Sequence, residues 1–246
     1  MNVLAIIPAR GGSKSIPLKN IQKLGNKALI EYTIIAAKKS KEINKIIVST
    51  DSKKISTISK KIGAEVPFLR PKKFSQDNSP AMDVIKHTLK FLKEKQSYVP
   101  EIVTILLTTS PFRTPQMIDK SVRLLKNSNA TCVLGVSKIK KEHPYRAFWP
   151  NGKYLKPLKS DFTKYYRRQI HPTCYYPNGM IYTFWYQTLK KFNTIYGSKI
   201  KPLIEDENNI DIDNLFDLFI AEMKIKNWKE YKKKIYSKSM KTLEFS

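Results

Sequence analysis

PARGGSKSIPLKN, residues 8–20, is the stretch on which the interpretation of the whole chain depends, and we call it the glycine loop. It follows an apolar run at residues 3–7, VLAII, that is typical of a buried central strand. In open α/β sheets, ligands bind at the carboxyl ends of the strands. Gly11 and Gly12 can adopt backbone angles closed to other residues and let amide N–H groups approach an anion. The stretch therefore predicts a loop that grips the phosphates of a nucleotide.

The side chains around these glycines also suit an anion. Arg10, Lys14 and Lys19 supply positive charge, while Ser13, Ser15 and Asn20 add neutral donors. The spacing matches neither the Walker A motif, G-x-x-x-x-G-K-[ST], nor the dinucleotide pattern G-x-G-x-x-G. From these residues alone, an ordinary strand-to-loop turn with surface lysines stays open as the alternative.

A second candidate site is the acidic pair Asp211 and Asp213. Residues two apart on an extended segment project to the same side, so both carboxylates can face one cation. Hard oxygen ligands of this kind suit Mg²⁺ that is shared with triphosphate oxygens. The alternative is that Asp213 caps the helix predicted to follow it.

Helical and strand-like patterns alternate along the chain. Helical spacing occurs at residues 29–39, 52–62, 79–92, 115–125 and 215–223, and strand-like runs occur at residues 45–51, 102–107, 131–136 and 179–183. Gly63 is well placed to end the second helix. Regular alternation predicts an α/β fold with a mostly parallel, Rossmann-like sheet and helices on both faces.

Periodicity fails between residues 138 and 176, a stretch rich in tyrosine, lysine and proline. We interpret it as an arm inserted into a single domain that covers residues 1–228. Its aromatic side chains would be costly to leave in water, which predicts burial against another subunit. The alternative is a lid packed over the site of its own chain.

The formal net charge of +26 is extreme, and basic proteins attract polyanions. The lysines are spread along the whole chain, so we expect mostly solvated faces and no specific nucleic-acid site. Only residues 224–241 are locally dense, and residues 229–246 are interpreted as a basic tail. No apolar run is long enough to span a bilayer, and no export signal or disulfide framework is visible, which predicts a cytoplasmic protein without membrane insertion.

The complete glycine-loop pattern resembles the N-terminal motif of the CMP-sialic acid (acylneuraminate) cytidylyltransferases, which activate nonulosonic acids. Three further segments are similar to motifs of that family in the same order: TSPFR at residues 109–113, RRQ at 167–169 with NG-x-IY at 178–182, and DID-x-x-x-DL at 211–218. The resemblance covers nearly the whole chain, from Arg10 to about Trp228. It implies a nucleotidyltransferase fold with a small dimerisation arm.

The resemblance also implies a reaction, in which CTP and a 2-keto-3-deoxy sugar acid give the CMP-sugar and pyrophosphate. The implied nucleotide contacts are Ala9, Arg10, Gly11, Gly12, Ser13, Lys14, Lys19, Asn20, Ser75 and Asp77. The implied sugar-acid contacts are Thr109, Ser110, Arg113, Arg146, Arg168, Gln169, Asn178 and Gly179. Arg168, helped by Arg146, would hold the sugar carboxylate, because the arginine fork can donate two parallel hydrogen bonds.

Catalysis in the family implies electrostatic roles for Arg10, Lys19 and the two aspartates, with Mg²⁺ as the divalent cation on Asp211 and Asp213. The resemblance further implies a homodimer in which the arm reaches towards the site of the partner chain.

The sequence departs from the family immediately before TSPFR. Many members have glutamine and proline there, and the glutamine contacts substrate hydroxyls, whereas this chain has Leu107 and Thr108. We therefore expect a more deoxygenated or differently substituted nonulosonic acid as acceptor. Two other functions stay open: activation of the eight-carbon sugar acid of lipopolysaccharide, and nonenzymatic polyanion binding through the lysine excess.

Overall fold

The computed structural model describes residues 1–165, 167–205, 210–227 and 230. Its strands are β1 (Val3–Pro8), β2 (Lys23–Leu24), β3 (Lys27–Ala28), β4 (Lys45–Ser49), β5 (Ile102–Ile105), β6 (Cys132–Lys138), β7 (Phe148–Asn151), β8 (Tyr154–Pro157), β9 (Tyr175–Trp185) and β10 (Ile200–Ile204). Its α-helices are α1 (Leu29–Lys39), α2 (Lys53–Ile62), α3 (Ala81–Gln96), α4 (Pro115–Lys126), α5 (Tyr186–Phe192) and α6 (Leu215–Lys226). Apart from Glu230, the predicted basic tail and its boundary at residue 228 lie outside the described residues.

Six strands form one mixed sheet in the order β10-β6-β9-β5-β1-β4. β1 pairs in parallel with β4 and β5, and β6 pairs in parallel with β10. β9 lies antiparallel between β5 and β6. The predicted α/β fold with a mostly parallel sheet is confirmed, and the sequence did not reveal the reversed direction of β9.

The position of the arm explains that reversal. β6 ends at Lys138, which is paired with Tyr175 at the start of β9. The chain between these two residues leaves the sheet and comes back to the same edge, so it must return in the opposite direction. This excursion is the segment predicted to be an inserted arm, and it contains the hairpin β7-β8.

Strand β1 shows how the core is divided between the two faces of the sheet. Its alternate residues Val3, Ala5 and Ile7 belong to a cluster that contains buried residues of α1 and α4. Leu4 and Ile6 belong to a cluster on the other face, with buried residues of α3 and α5. Side chains alternate along a strand, so a run that is apolar at every position must be covered on both faces.

Helix ends follow the expected capping chemistry. The Ser52 side chain accepts a hydrogen bond from the Ile55 N–H, and Gly63 ends α2 with φ of 96°, a left-handed angle that glycine adopts at little cost. At α6 the N-cap is Asn214, whose side chain accepts from the Phe216 and Asp217 N–H groups. The alternative in which Asp213 caps this helix is therefore wrong.

Within the part of the chain that the structure describes, no helix is both long and apolar enough to cross a membrane.

Candidate active site

A cavity of about 420 Å³ opens where the glycine loop meets the segment that follows β5. Its lining from the loop is Pro8, Arg10, Ser13, Lys14, Ser15, Lys19 and Asn20. Leu107, Thr108 and Thr109 line it from the segment after β5, and Arg70, Phe74, Gln76, Asp77, Ser79, Ala81 and Val84 line it from residues 70–84. The cavity therefore has several cations together with an apolar wall.

Gly11 is fixed by the end of β4. Its N–H donates to Asp51 Oδ1 at 2.8 Å, and a Cβ at this position would lie 3.0 Å from the Cβ of Ser52. A Cβ added at Gly12 would meet no other heavy atom within 4 Å. Only the first glycine is thus required by close approach, and the role of Asp51 was not visible in the sequence.

The single helical turn Lys19–Ile21 joins three parts of the site. Lys19 Nζ donates to the Ile212 carbonyl and lies 3.0 Å from Asp213 Oδ1. Asn20 is buried, donates to the Arg10 carbonyl at 2.7 Å and accepts a hydrogen bond from the Thr108 hydroxyl. The turn therefore connects the glycine loop to the acidic pair and to the segment after β5.

Apolar packing supports the same connection. Ile16, in the glycine loop, and Ile212, between the two aspartates, are fully buried in one small cluster with Leu218 and Ala221 of α6. The Ile212 N–H also donates to the Thr109 carbonyl at 2.8 Å. Burial of these apolar side chains stabilises the loop and the aspartate segment side by side.

Asp211 is held in a buried environment. Burial raises its pKa, the side-chain hydrogen bond with Thr109 opposes this rise, and the nearby charge of Asp213 adds to it. Oδ1 of Asp211 is buried without a hydrogen-bond partner. Gly179 has φ of +74°, and a Cβ there would lie 3.1 Å from Asp211 Oδ2, so only glycine fits beside this carboxylate.

These carboxylates fit a divalent cation. Asp211 has a buried carboxylate oxygen without a hydrogen-bond partner and lies close to a second acidic side chain, and hard oxygens are the ligands of Mg²⁺-like ions. Among the described residues, no group of three or more His, Cys, Asp or Glu side chains could hold a metal ion. An ion on Asp211 and Asp213 would therefore need further oxygens from a substrate or from water.

Arg10 and Lys14 are both paired with Asp77. Arg10 Nη1 lies 2.7 Å from Asp77 Oδ1, and Lys14 Nζ lies 2.7 Å from Asp77 Oδ2. The hydrogen bond from Lys14 is the largest cause that holds the pKa of Asp77 below its ordinary value. Asp77 thus lies in the cavity as a counter-ion of the loop cations, and its predicted contact with nucleotide stays a prediction.

Arg70 is a cavity residue that the sequence reasoning missed. Its side chain lines the cavity, yet only 6% of the residue is exposed. Nε and one terminal nitrogen are buried without a hydrogen-bond partner. Burial lowers its pKa and the charge of Asp51 opposes this. A buried guanidinium with unused donors is suited to an anionic ligand.

Two predicted sugar-acid contacts are buried and bonded to the protein, and their contact with a sugar acid stays a prediction. Arg113 is buried and donates to the carbonyls of Met180 and Leu107, and burial lowers its pKa to about 9. Asn178 is also buried, and its side chain bonds to the Ser137 hydroxyl and the Met180 N–H. Their side-chain donors bond to protein atoms, and neither side chain lines the cavity at the glycine loop. Asn178 lines a second cavity together with Asp211.

The other predicted residues differ in where they lie. Thr109 lines the cavity, whereas Ser110 and Ala9 are buried and do not line it, and Ser75, also outside the lining, donates to the Pro71 carbonyl. The arm residues Arg168 and Gln169 line a separate cavity of about 420 Å³.

Of the described residues that line the cavity at the glycine loop, none belongs to the arm. Arg146 is exposed, and so are the arm side chains Trp149, Tyr154 and Leu155, at 60%, 79% and 68%. The described part of the arm therefore does not cover the cavity of its own chain.

A mostly parallel sheet with a basic glycine-containing loop at the end of its first strand, facing an acidic pair, defines a nucleotidyltransferase site. The comparison with known families agrees: the cytidylyltransferase family model matches residues 4–240. The chain belongs to the cytidylyltransferase family, which confirms the expectation drawn from its motifs. Enzymes of this family generally use a divalent metal ion.

Relatives of named activity are similar over most of the chain. The CMP-N,N'-diacetyllegionaminic acid synthase of Legionella pneumophila is 34% identical over 226 residues, 90% of this chain and 95% of that protein. The N-acylneuraminate cytidylyltransferase of Escherichia coli is 33% identical over 223 residues, 89% of this chain and 51% of that protein. This chain therefore spans about half of the second relative.

Solved structures agree on the fold. A CMP:2-keto-3-deoxy-manno-octonic acid synthetase complexed with CTP superposes with a TM-score of 0.70 at 14% identity, and covers 92% of this chain and 99% of that one. At this identity the likeness concerns the fold alone.

Proposed function

We propose that this protein transfers CMP from CTP to the anomeric hydroxyl of a nonulosonic, sialic-acid-like 2-keto-3-deoxy sugar acid, with release of pyrophosphate. One observation carries the proposal: Lys19, in the basic glycine loop, contacts Asp213 of the acidic pair. The predicted triphosphate site and the carboxylate cation site are therefore direct neighbours, joined by this ion pair. The named activities of the two relatives support the same reaction.

The chemistry is a displacement at the α-phosphorus. The anomeric oxygen forms a bond to phosphorus, the bond from phosphorus to the bridging α–β oxygen breaks, and pyrophosphate leaves with that electron pair. The hydroxyl proton passes to solvent. Arg10, Lys14, Lys19 and Arg70 would neutralise charge that develops on the triphosphate, and such positioning with electrostatic stabilisation supplies most of the acceleration in phosphoryl transfer.

Asp211 and Asp213 would hold the divalent cation, which we propose to be Mg²⁺. When bound, Mg²⁺ supplies positive charge to the triphosphate oxygens. Lys19 keeps the Asp213 carboxylate beside the glycine loop, and Gly179 leaves room for Asp211.

We propose that the sugar carboxylate is bound by Arg168 and Arg146 of a partner chain in a homodimer. In one chain these residues lie away from the cavity at the glycine loop, while the arm exposes several apolar side chains. An arm that crosses to a second copy would bury those side chains and complete the site.

The acceptor is expected to present an apolar or deoxygenated group to the cavity wall. Leu107 lines the cavity, and the neighbouring Thr108 hydroxyl is already bonded to Asn20. A hydroxyl facing Leu107 would lose its hydrogen bonds to water without replacement.

Cytoplasmic location stays a prediction.

The test is Mg²⁺-dependent pyrophosphate release from CTP with a panel of nonulosonic acids and the eight-carbon acid. Turnover with a deoxygenated nonulosonic acid above that with sialic acid is the expected result. Turnover with the eight-carbon acid alone would favour the alternative function, activation of the eight-carbon sugar acid of lipopolysaccharide. If the folded protein does not bind CTP and binds polyanions with steep salt dependence, it belongs to the nonenzymatic class.

A further inference from the structure

The carboxylate of Asp77 is ion-paired with two cations of the glycine loop, which are the groups proposed to bind the triphosphate. Each of its carboxylate oxygens pairs with a different cation: Oδ1 with Arg10 and Oδ2 with Lys14, both at 2.7 Å. The side chains of Lys14 and Asp77 are 82% and 44% exposed. Exposed ion pairs are weak and exchange readily, so a stronger anion can displace this one.

The segment that carries Asp77 is built as a separate turn. Ser79 donates through its hydroxyl to the Lys73 carbonyl at 3.0 Å and accepts from the Gln76 N–H at 3.1 Å. The turn lies between a short helix, Lys72–Phe74, and α3. Gln76, Asp77 and Ser79 all line the cavity. The two ion pairs of Asp77 thus tie a cavity wall to the glycine loop.

A carboxylate at this position opposes a bound triphosphate. Arg10 and Lys14 cannot direct the same N–H groups at both anions, and the two anions repel each other at short range. Asp213 differs, because its charge would be shared with a cation between it and the phosphates. Asp77 has the loop cations as its counter-charge, and those are the groups that the nucleotide would take.

We propose that Asp77 is an autoinhibitory stand-in for the triphosphate: its carboxylate occupies Arg10 and Lys14, and ties the turn that carries it to the glycine loop, until nucleotide displaces it. This inference rests on the proposed function. It assigns Asp77 the opposite role to the nucleotide contact that the motif resemblance implies.

The test measures dissociation constants of CTP and of inorganic tripolyphosphate by calorimetry, for the wild type and Asp77→Asn. Loss of the competing charge should tighten binding of both ligands by about three- to tenfold. KM for CTP should fall in parallel, while kcat changes by less than about twofold. Asp83→Asn is the matched control, because it removes the same charge six residues away on α3, outside this cavity.

Weaker binding of both ligands by Asp77→Asn would overturn the proposal and make Asp77 a direct contact. Unchanged affinity, or an equal gain in Asp83→Asn, would overturn it too. Tripolyphosphate distinguishes failure of this proposal from failure of the proposed function. Tighter tripolyphosphate binding by Asp77→Asn without any CTP turnover supports the autoinhibitory role of Asp77 and contradicts the cytidylyl transfer. Turnover of CTP without tighter binding in the variant supports the transfer and overturns the stand-in.

Discussion

Lys19 Nζ lies 3.0 Å from Asp213 Oδ1, although the two residues are 194 positions apart in the sequence. The contact joins the glycine loop to the acidic pair. The Lys19 side chain is only 12% exposed, whereas that of Asp213 is 71% exposed. One largely buried cation thus orients a carboxylate that remains open to solvent.

Replacement of Lys19 by methionine should lower kcat/KM for CTP by about 100-fold, because a charge-stabilising group near the triphosphate is lost. Pyrophosphate release is the measurement. Lys23→Met, at an exposed position on β2, is the control and should keep wild-type activity. Equal activity of the two variants would contradict the role given to Lys19.

Gly179→Ala should abolish most activity through Asp211. The left-handed backbone costs a non-glycine residue about 1–2 kcal/mol, and the new Cβ would press on the carboxylate. Gly152→Ala is a matched control, because Gly152 also has a left-handed backbone, with φ of +61°, but a Cβ added there would meet no other heavy atom within 4 Å. We expect both variants to lose similar amounts of unfolding free energy. Only Gly179→Ala should also lose kcat, by at least about tenfold, because a catalytic group is misplaced. Equal kcat in both variants would contradict the proposal that Gly179 positions Asp211 for catalysis.

Arg113→Met should mainly destabilise the fold. The change removes the guanidinium hydrogen bonds to the Leu107 and Met180 carbonyls, which costs about 2–4 kcal/mol of unfolding free energy. Urea unfolding measures this loss, and KM for the sugar acid should stay near the wild-type value. A large rise in that KM with unchanged stability would restore Arg113 as a substrate contact.

Mixing two inactive variants tests the shared site. If the arm serves the partner chain, Arg168→Ala and Asp213→Ala should complement each other after subunit exchange. Random pairing leaves one intact site in about four, so about a quarter of wild-type activity should return. Continued inactivity of the exchanged mixture would mean that each chain uses its own arm.

Local sequence patterns predicted most helices and strands and the glycine loop. The features that they did not predict depend on contacts between distant parts of the chain. The apolar run of β1, the C-cap Gly63 and the glycine loop are decided by neighbouring residues, so they were visible in the sequence. The direction of β9 depends on where the arm returns to the sheet, which no local pattern encodes.

The charged side chains Asp51 and Arg113 show the same limit within the site. Arginines and acidic residues are seldom buried unless they find partners. Partners here come from elsewhere in the fold: Gly11 for Asp51, and the carbonyls of Leu107 and Met180 for Arg113. The sequence predicted Arg113 as a substrate contact because its motif lies beside the cavity, although its guanidinium turns into the core.

The most direct test of the proposed transfer is the fate of the α-phosphate. The protein is incubated with CTP labelled at the α-phosphorus, Mg²⁺ and a nonulosonic acid, and the products are separated. We expect the label to move to the sugar acid as its CMP conjugate, while pyrophosphate is unlabelled. Label that stays in CTP, or that appears only as free CMP at a rate independent of the sugar acid, would contradict the proposed transfer.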